Sequence, residues 1–250
     1  MSVVAAIPIY NEAATIGAVI DGVLPHVDEI LVVDDGSTDG GAELASQHGA
    51  EVTAHDRNRG KGVALQTALR WAKAQPAISE LVLVDGDGQH DPDDVPRLVG
   101  ELRQRNLDIL VGSRFLGQNN APLYRLFGLH VLTASAGLGS GIYVTDSQSG
   151  FRVLSRPAID RLELTEGAFA VESEMLFEAA AKDLRVAETP IAIRSAGPAR
   201  RSPVVHGVSV LLRTILMTAR RRPARLPLLV ATPFLAVRVG RTRSVEMVEA

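Results

Sequence analysis

The chain has 250 residues, 46% of them hydrophobic, too many for a disordered segment, too few for a multi-span membrane protein, and enough for one α/β domain. It has no cysteine, which excludes disulfides and thiolate metal sites and fits a reducing compartment. The net charge of −3 hides an asymmetry: residues 1–193 hold 15 basic and 27 acidic side chains, whereas residues 194–250 hold 11 arginines against Glu246 and Glu249. An acidic body with a basic tail suits an anionic partner such as a membrane surface.

The first half alternates short apolar runs with amphipathic ones, the pattern of βαβ units and a mainly parallel central sheet flanked by helices. Val3–Ile7 reads as a first strand without the flanks of a secretory signal, followed by a polar turn and a helix over Ala13–Leu24. Glu29–Val33 is a second strand, running into Asp34-Asp35-Gly36-Ser37-Thr38-Asp39. A helix over Gly41–Gln47 and a strand over Glu51–Ala54 follow, and Arg57–Gly62 opens a helix that reaches Ala74.

Leu81–Val84 is four apolar residues, a strand buried in a parallel sheet, and it leads into Asp85-Gly86-Asp87-Gly88-Gln89. Residues i and i+2 of an extended chain project to one side, so Asp85 and Asp87 can face one site. Asp91-Pro92 reads as the cap and first position of a helix to Gln104. Two carboxylates and an amide oxygen at the carboxyl end of a central strand suit Mg²⁺ or Mn²⁺ holding a diphosphate. A calcium loop starting at Asp85 fails, because His90 stands where glycine is needed and Pro96 where glutamate is needed. Neither a dinucleotide fingerprint nor a Gly-x-x-x-x-Gly-Lys-Ser/Thr loop is present.

Asp108–Val111 is a fifth strand, ending in Gly112-Ser113-Arg114-Phe115. Leu123–Leu138 is mostly apolar and helical, and Asp146–Arg152 is a polar loop running into Val153-Leu154. Val171–Lys182 is a helix whose Glu172 and Glu174 read equally as residues that favour the helix dipole. Arg185–Arg194 is the last strand. Val204–Ala219 is amphipathic, with Val208, Leu211, Leu212 and Ile215 on one face and Arg213 off it. Leu226–Val237, 12 residues, is too short to span a bilayer, which takes about 20; it suits a membrane interface or a protein contact. Arg152 is expected at the solvated surface, and the six histidines, lacking metal-ligand spacing, are read as structural.

In chain order the segments PIYNE, VVDDGSTD, RGKGVALQTAL, VDGDGQHDP, GSRF, DSQSGFR, VESEML and ETPI resemble family 2 glycosyltransferases of the GT-A fold. The chain is most similar to the dolichol-phosphate mannosyltransferase-like branch, which uses polyprenyl phosphate acceptors. The resemblance covers about residues 1–195, the expected catalytic domain, and leaves 196–250 as a basic, amphipathic extension. It implies that Pro8, Tyr10 and Glu12 line the nucleotide pocket, that Asp35 contacts the base, and that Lys61 and Asp85 belong to the donor side. It implies Asp87 and Gln89 as metal ligands, with Mg²⁺ or Mn²⁺ as cofactor. Arg114 and Arg125 would lie near the acceptor phosphate, Asp146 and the segment through Arg152 would form the acceptor-side loop, and Glu172 and Glu174 match an acidic pair of the family. Relatives with transmembrane helices after this domain differ from this chain, whose donor sugar and membrane attachment stay open.

The implied reaction is inverting transfer of a sugar from GDP-mannose or a UDP-hexose to a polyprenyl phosphate, peripheral at the cytoplasmic membrane face. A membrane-protein partner is compatible with it, and no nucleic acid is expected. Three rivals stand beside it. One is transfer to a glycan or small-molecule hydroxyl, which needs a carboxylate base such as Asp146. Another is a non-catalytic nucleotide-sugar-binding subunit, and the third a nucleotidyltransferase, against which the lack of an N-terminal glycine-rich phosphate loop counts.

Overall fold

Strands as apolar as Val3–Ile7 and Leu81–Val84 need cover on both faces, and the computed structural model supplies it. The structure describes residues 2–116, 123–167, 170–194 and 203–231. In chain order the elements are β1 (Ser2–Ile9), α1 (Ile16–Val23), β2 (Glu29–Asp34), α2 (Gly41–Gln47), β3 (Glu51–Ala54), α3 (Lys61–Lys73) and β4 (Ile78–Leu83). Then come α4 (Asp94–Gln104), β5 (Ile109–Ser113), α5 (Leu123–Ser140), β6 (Arg152–Ser155), α6 (Arg156–Arg161), α7 (Val171–Ala181), β7 (Val186–Pro190) and α8 (Pro203–Arg221).

The strands form one seven-stranded sheet in the order β3-β2-β1-β4-β6-β5-β7. Alternation along each strand sends neighbouring residues to opposite faces. Ala5, Ile7, Val32 and Val82 join Ile16 and Ile20 of α1 and Leu98 of α4 in one core layer. Val4, Ala6, Leu31, Leu81 and Leu83 join Ala64 and Ala68 of α3 and Met175 of α7 in the other. β4, the central strand, is parallel to β1 but antiparallel to β6, which departs from the expectation that parallel neighbours flank it on both sides. The reversal positions the site: the start of β6 lies level with the ends of β4 and β5, Arg152 pairing with Leu83 and with Val111. The polar loop before β6 therefore reaches the same rim as the loops after β1, β2, β4 and β5.

Several boundaries differ from the sequence expectation, among them three beside the rim. α1 starts at Ile16, not Ala13, because residues 12–15 close a turn in which the Thr15 backbone N–H donates to the Glu12 carbonyl. α4 starts at Asp94: Asp91 and Pro92 instead accept i→i+3 bonds from Asp94 and Val95. The last strand is shorter than Arg185–Arg194, although Ile193 still makes an isolated bridge to His90.

α8 packs onto α5 and α7. Val210 and Met217 of α8 cluster with Leu132 of α5 and with Ala170 and Phe177 at α7. Arg221 reaches Glu174 and Glu178 at 2.7 and 2.6 Å, and Arg213 reaches Glu166 at 2.7 Å. The docking face is not the one the apolar residues outline. Thr214 and Thr218 are buried, their hydroxyls satisfied by the Val210 and Thr214 carbonyls four residues back. Val208, Leu212 and Leu216 are left outside, more than half exposed. Residues Pro223–Ala231 continue as a 3₁₀ segment; the rest of the apolar run to Val237 lies outside the described residues. No helix among the described residues is long and apolar enough to cross a membrane.

This orientation separates two adjacent residues. Met217, 4% exposed, should lose about 2–5 kcal/mol of stability on Met217→Ala. Leu216, 54% exposed, should change by no more than about 0.5 kcal/mol on Leu216→Ala. Urea unfolding of both variants checks this; equal losses would contradict the docking face.

Candidate active site

The Lys61 ammonium is the centre of the rim. It lies 2.7 Å from Asp85 Oδ1, at the end of β4, and 2.7 Å from Glu172 Oε1, in the first turn of α7. His90 Nε2 approaches the other Asp85 oxygen at 3.5 Å. Burial opposes the charge on Lys61, but the Asp85 and Glu172 carboxylates outweigh it and hold its pKa above the ordinary lysine value. Burial likewise opposes ionisation of Asp85, and Lys61 and His90 outweigh it, holding that carboxyl well below its usual range. The second Glu172 oxygen is buried without a hydrogen-bond partner.

Lys61 is placed by Asp35. Asp35 Oδ1 accepts from the Arg59 N–H at 2.9 Å and lies 2.8 Å from His55 Nδ1, and Oδ2 accepts from the Gly60 N–H at 2.7 Å. The buried carboxylate thus closes the loop that delivers Lys61 to the start of α3. Gly36, at φ +75°, lets this loop lie against the strand end, since a β-carbon there would overlap the Arg57 backbone.

The loop after β1 is tied to both neighbours. The Asn11 N–H donates to Ser37 Oγ, and Thr15 Oγ1 donates to the Gly86 carbonyl at 2.7 Å. Pro8 is half-buried, Tyr10 is exposed, and Glu12 Oε2 lies 3.3 Å from Thr15 Oγ1. Asp87 accepts from its own neighbour Gln89: backbone N–H to Oδ1 at 3.0 Å, side-chain amide to Oδ2 at 2.7 Å.

On the other side, Arg114 and Asp146 form a bidentate pair, Nε to Oδ2 at 2.6 Å and Nη2 to Oδ1 at 2.9 Å, and the Arg114 backbone N–H donates to Oδ2 as well. Asp146 is fully buried. Burial opposes the Arg114 charge, and Asp146, helped by Asp85 and Glu172, outweighs it and raises the pKa. Gly150 joins the two sides, because a β-carbon on it would overlap the Asp85 carboxylate. Arg152 is not at the surface: it is fully buried and donates to the carbonyls of Ser147, Ser149 and Glu172. Only the antiparallel β6 makes this possible, by turning the strand's first residue into the rim. Burial pushes its pKa down, against the pull of Glu172, Asp146 and Asp85. Arg125 lies in the first turn of α5, and its side chain is outside the described residues.

Residues 4–163 match the model of glycosyl transferase family 2. The chain belongs to that family. It is similar to UDP-N-acetylglucosamine–dolichyl-phosphate N-acetylglucosaminyltransferase of Methanococcus voltae, 31% identical over 237 residues, spanning 84% of this chain and 94% of that one. It is also similar to undecaprenyl-phosphate mannosyltransferase of Micrococcus luteus, 30% identical over 228 residues, spanning 84% and 92%. Among solved structures, glucosyl-3-phosphoglycerate synthase from Mycobacterium tuberculosis in complex with Mn²⁺, UDP and phosphoglyceric acid matches with a TM-score of 0.70 at 25% identity, covering 88% of this chain and 78% of that one.

This family 2 glycosyltransferase thus has the GT-A fold, and a neighbour of that fold binds a divalent metal with a nucleoside diphosphate. The donor set here fits such a metal. Among the described residues no three His, Asp or Glu side chains come close enough to form a cage, whereas Asp87 and the Gln89 amide offer oxygens on one loop. Hard cations held by one or two protein oxygens and completed by phosphate and water have this form. Asp85, in contact with Lys61, is the less available carboxylate. The rim brings together Asp35, Lys61, Asp85, Asp87, Gln89, Arg114 and Asp146. Sequence reasoning singled out Glu172 without giving it a partner and missed His90, His55 and Arg152, for which the burial of α7 and the reversal of β6 were the needed signals.

Gly150→Ala tests the junction. The added methyl has to displace Asp85 from Lys61, so turnover should fall about tenfold or more, as when a charged hydrogen bond of about 1.5–3 kcal/mol is lost. Steady-state assays at saturating donor check it, and full activity would show that the contact is dispensable.

Proposed function

We propose that this glycosyltransferase moves a sugar, with inversion, from a nucleotide diphosphate sugar to a polyprenyl phosphate presented at a membrane surface. The observation that carries the reading is the single rim on which the Lys61–Asp85 pair and the Arg114–Asp146 pair meet across Gly150. The acceptors named for the Methanococcus voltae and Micrococcus luteus relatives support it.

In this reading Pro8, Tyr10, Glu12 and Asp35 frame the nucleotide pocket, and Lys61 adds a fixed positive charge beside the diphosphate. Asp87 and Gln89 hold Mg²⁺ or Mn²⁺, which supplies charge neutralisation for the leaving diphosphate. A phosphate monoester is largely a dianion near neutral pH, its second pKa being about 6, so it attacks the anomeric carbon without a dedicated base. Both Asp146 oxygens are engaged by Arg114, an arrangement that serves positioning better than proton removal. Arg114, with Arg125, orients the acceptor phosphate.

Residues 196–250 form the membrane-facing extension, on the cytoplasmic face. Arg213 and Arg221 are consumed by internal ion pairs, so attachment rests on the outer stripe Val208, Leu212 and Leu216, exposed Arg220, and the basic residues that follow. An apolar stripe flanked by arginines suits the interface of an anionic bilayer.

A panel of GDP-mannose, UDP-glucose and UDP-N-acetylglucosamine with polyprenyl phosphate and Mg²⁺ or Mn²⁺, followed by lipid extraction, tests the reaction. Asp87→Ala or excess chelator should abolish transfer, with the unfolding midpoint of the variant unchanged. Arg114→Ala would strand a buried Asp146, so Arg114→Lys is the cleaner change: it keeps the charge and loses the fork. It should lower transfer to polyprenyl phosphate roughly ten- to a hundredfold and spare donor binding. Comparable transfer to free polyprenol, unaffected by Arg114→Lys, would favour a hydroxyl acceptor instead.

Attachment is read separately by flotation with anionic vesicles. Binding should weaken as salt rises, each basic residue contributing about 1 kcal/mol, and Leu212→Glu should reduce it further. Salt-independent binding would leave the charge without a role.

A further inference from the structure

We propose that Glu188, on the edge strand β7, is a positioning residue for the acceptor side of the site, setting Arg114 and Asp146 by holding the residue next to each. Its carboxylate oxygen Oε2 accepts twice from Thr145: from the backbone N–H at 2.6 Å and from the hydroxyl at 2.9 Å. Thr145 directly precedes Asp146. Because its one hydroxyl hydrogen goes to Glu188, the 2.6 Å contact between Ser113 Oγ and Thr145 Oγ1 has Ser113 as donor. Ser113 Oγ in turn accepts from the Phe115 N–H at 3.2 Å. Arg114 therefore sits between two residues of this chain of bonds, and Asp146 follows a third.

The wiring has a direction that starts from the carboxylate. β7 pairs in register with β5, Glu188 opposite Val111, so the sheet fixes the backbone from which the carboxylate reaches the loop. Replaced by a group that cannot accept, it would free the Thr145 hydroxyl to turn, and Ser113 would lose its fixed role. Burial pushes the Glu188 carboxyl above its ordinary range, against bonds from Thr145 and the Asp146 backbone that favour the charged form. Neither substrate nor metal has to touch Glu188 for this role.

The acceptor in the test rests on the polyprenyl phosphate reading. With the full chain, Glu188→Ala should raise KM for polyprenyl phosphate roughly tenfold and leave KM for the nucleotide sugar unchanged. Glu188→Gln, which keeps one acceptor oxygen for Thr145, should restore most of the loss. Thr145→Val should raise the same KM, and the double variant Thr145→Val with Glu188→Ala should be no worse than the worse single one. Amide hydrogen exchange of Glu188→Ala should quicken in peptides covering 113–116 and 143–151 and not in β1 or β2. Donor and acceptor KM rising together, additive variants, or exchange that quickens everywhere or nowhere would overturn the proposal. If wild type transfers nothing to polyprenyl phosphate, the acceptor reading fails by itself and the exchange pattern still decides the role of Glu188.

Discussion

The Lys61 ammonium between Asp85 and Glu172 is the contact on which the rim depends. Its three residues come from the start of α3, the end of β4 and the first turn of α7, parts of the chain far apart in sequence. Bringing three charges into a poorly hydrated place costs several kcal/mol per ion before their attraction is counted, so such a cluster is a weak source of net stability. Its value lies in geometry, since removing Lys61 leaves the Asp85 and Glu172 carboxylates without the cation they share. Asp85 is held below the ordinary carboxyl value of about 3.9 and Lys61 above the ordinary ammonium value of about 10.4. The depressed group loses its contribution only as pH falls through its lowered pKa, and the raised group only as pH rises through its raised one. Across neutral pH Asp85 and Lys61 therefore both keep their charges.

Around it, charge is arranged in matched sets: Lys61 with Asp85 and Glu172, Arg114 with Asp146, and Arg152 satisfied by three carbonyls while feeling all three carboxylates. A site of this kind is preorganised, because its dipoles and charges are fixed by one another before substrate arrives. The antiparallel β6 is the topological condition for it. A parallel strand at that place would begin at the far end of the sheet and take Arg152 and the acceptor loop with it.

Much of this was legible in the sequence. The alternation of apolar runs specified a sheet with helices on both sides, and the Asp-Gly-Asp-Gly-Gln loop stands at the end of the central strand, as its composition requires. Helix Gly41–Gln47 and strand Glu51–Ala54 have the expected bounds. What was not legible has identifiable causes. The direction of β6 leaves no mark in a four-residue strand with two apolar side chains, and with it went the burial of Arg152. Glu172 and Glu174 look like surface residues of a helix start, yet α7 is buried through most of its length, so each needs a cation that lies far away in the chain. The docking face of α8 was not read at all, because Thr214 and Thr218 count as polar in a sequence but are buried with their hydroxyls bonded back to their own helix.

The close approach of Gly150 to Asp85 makes the two halves of the rim inseparable as heritable units. The loop before β6 and the Asp-Gly-Asp-Gly-Gln loop belong to distant stretches of chain, and recombination between relatives could exchange one without the other. Any exchange that brought a larger residue to position 150 would displace a carboxylate on which the lysine clasp depends. A change of acceptor preference through this loop is therefore confined to sequences that keep a glycine there, or to simultaneous change in both loops, which narrows the routes by which one specificity can become another.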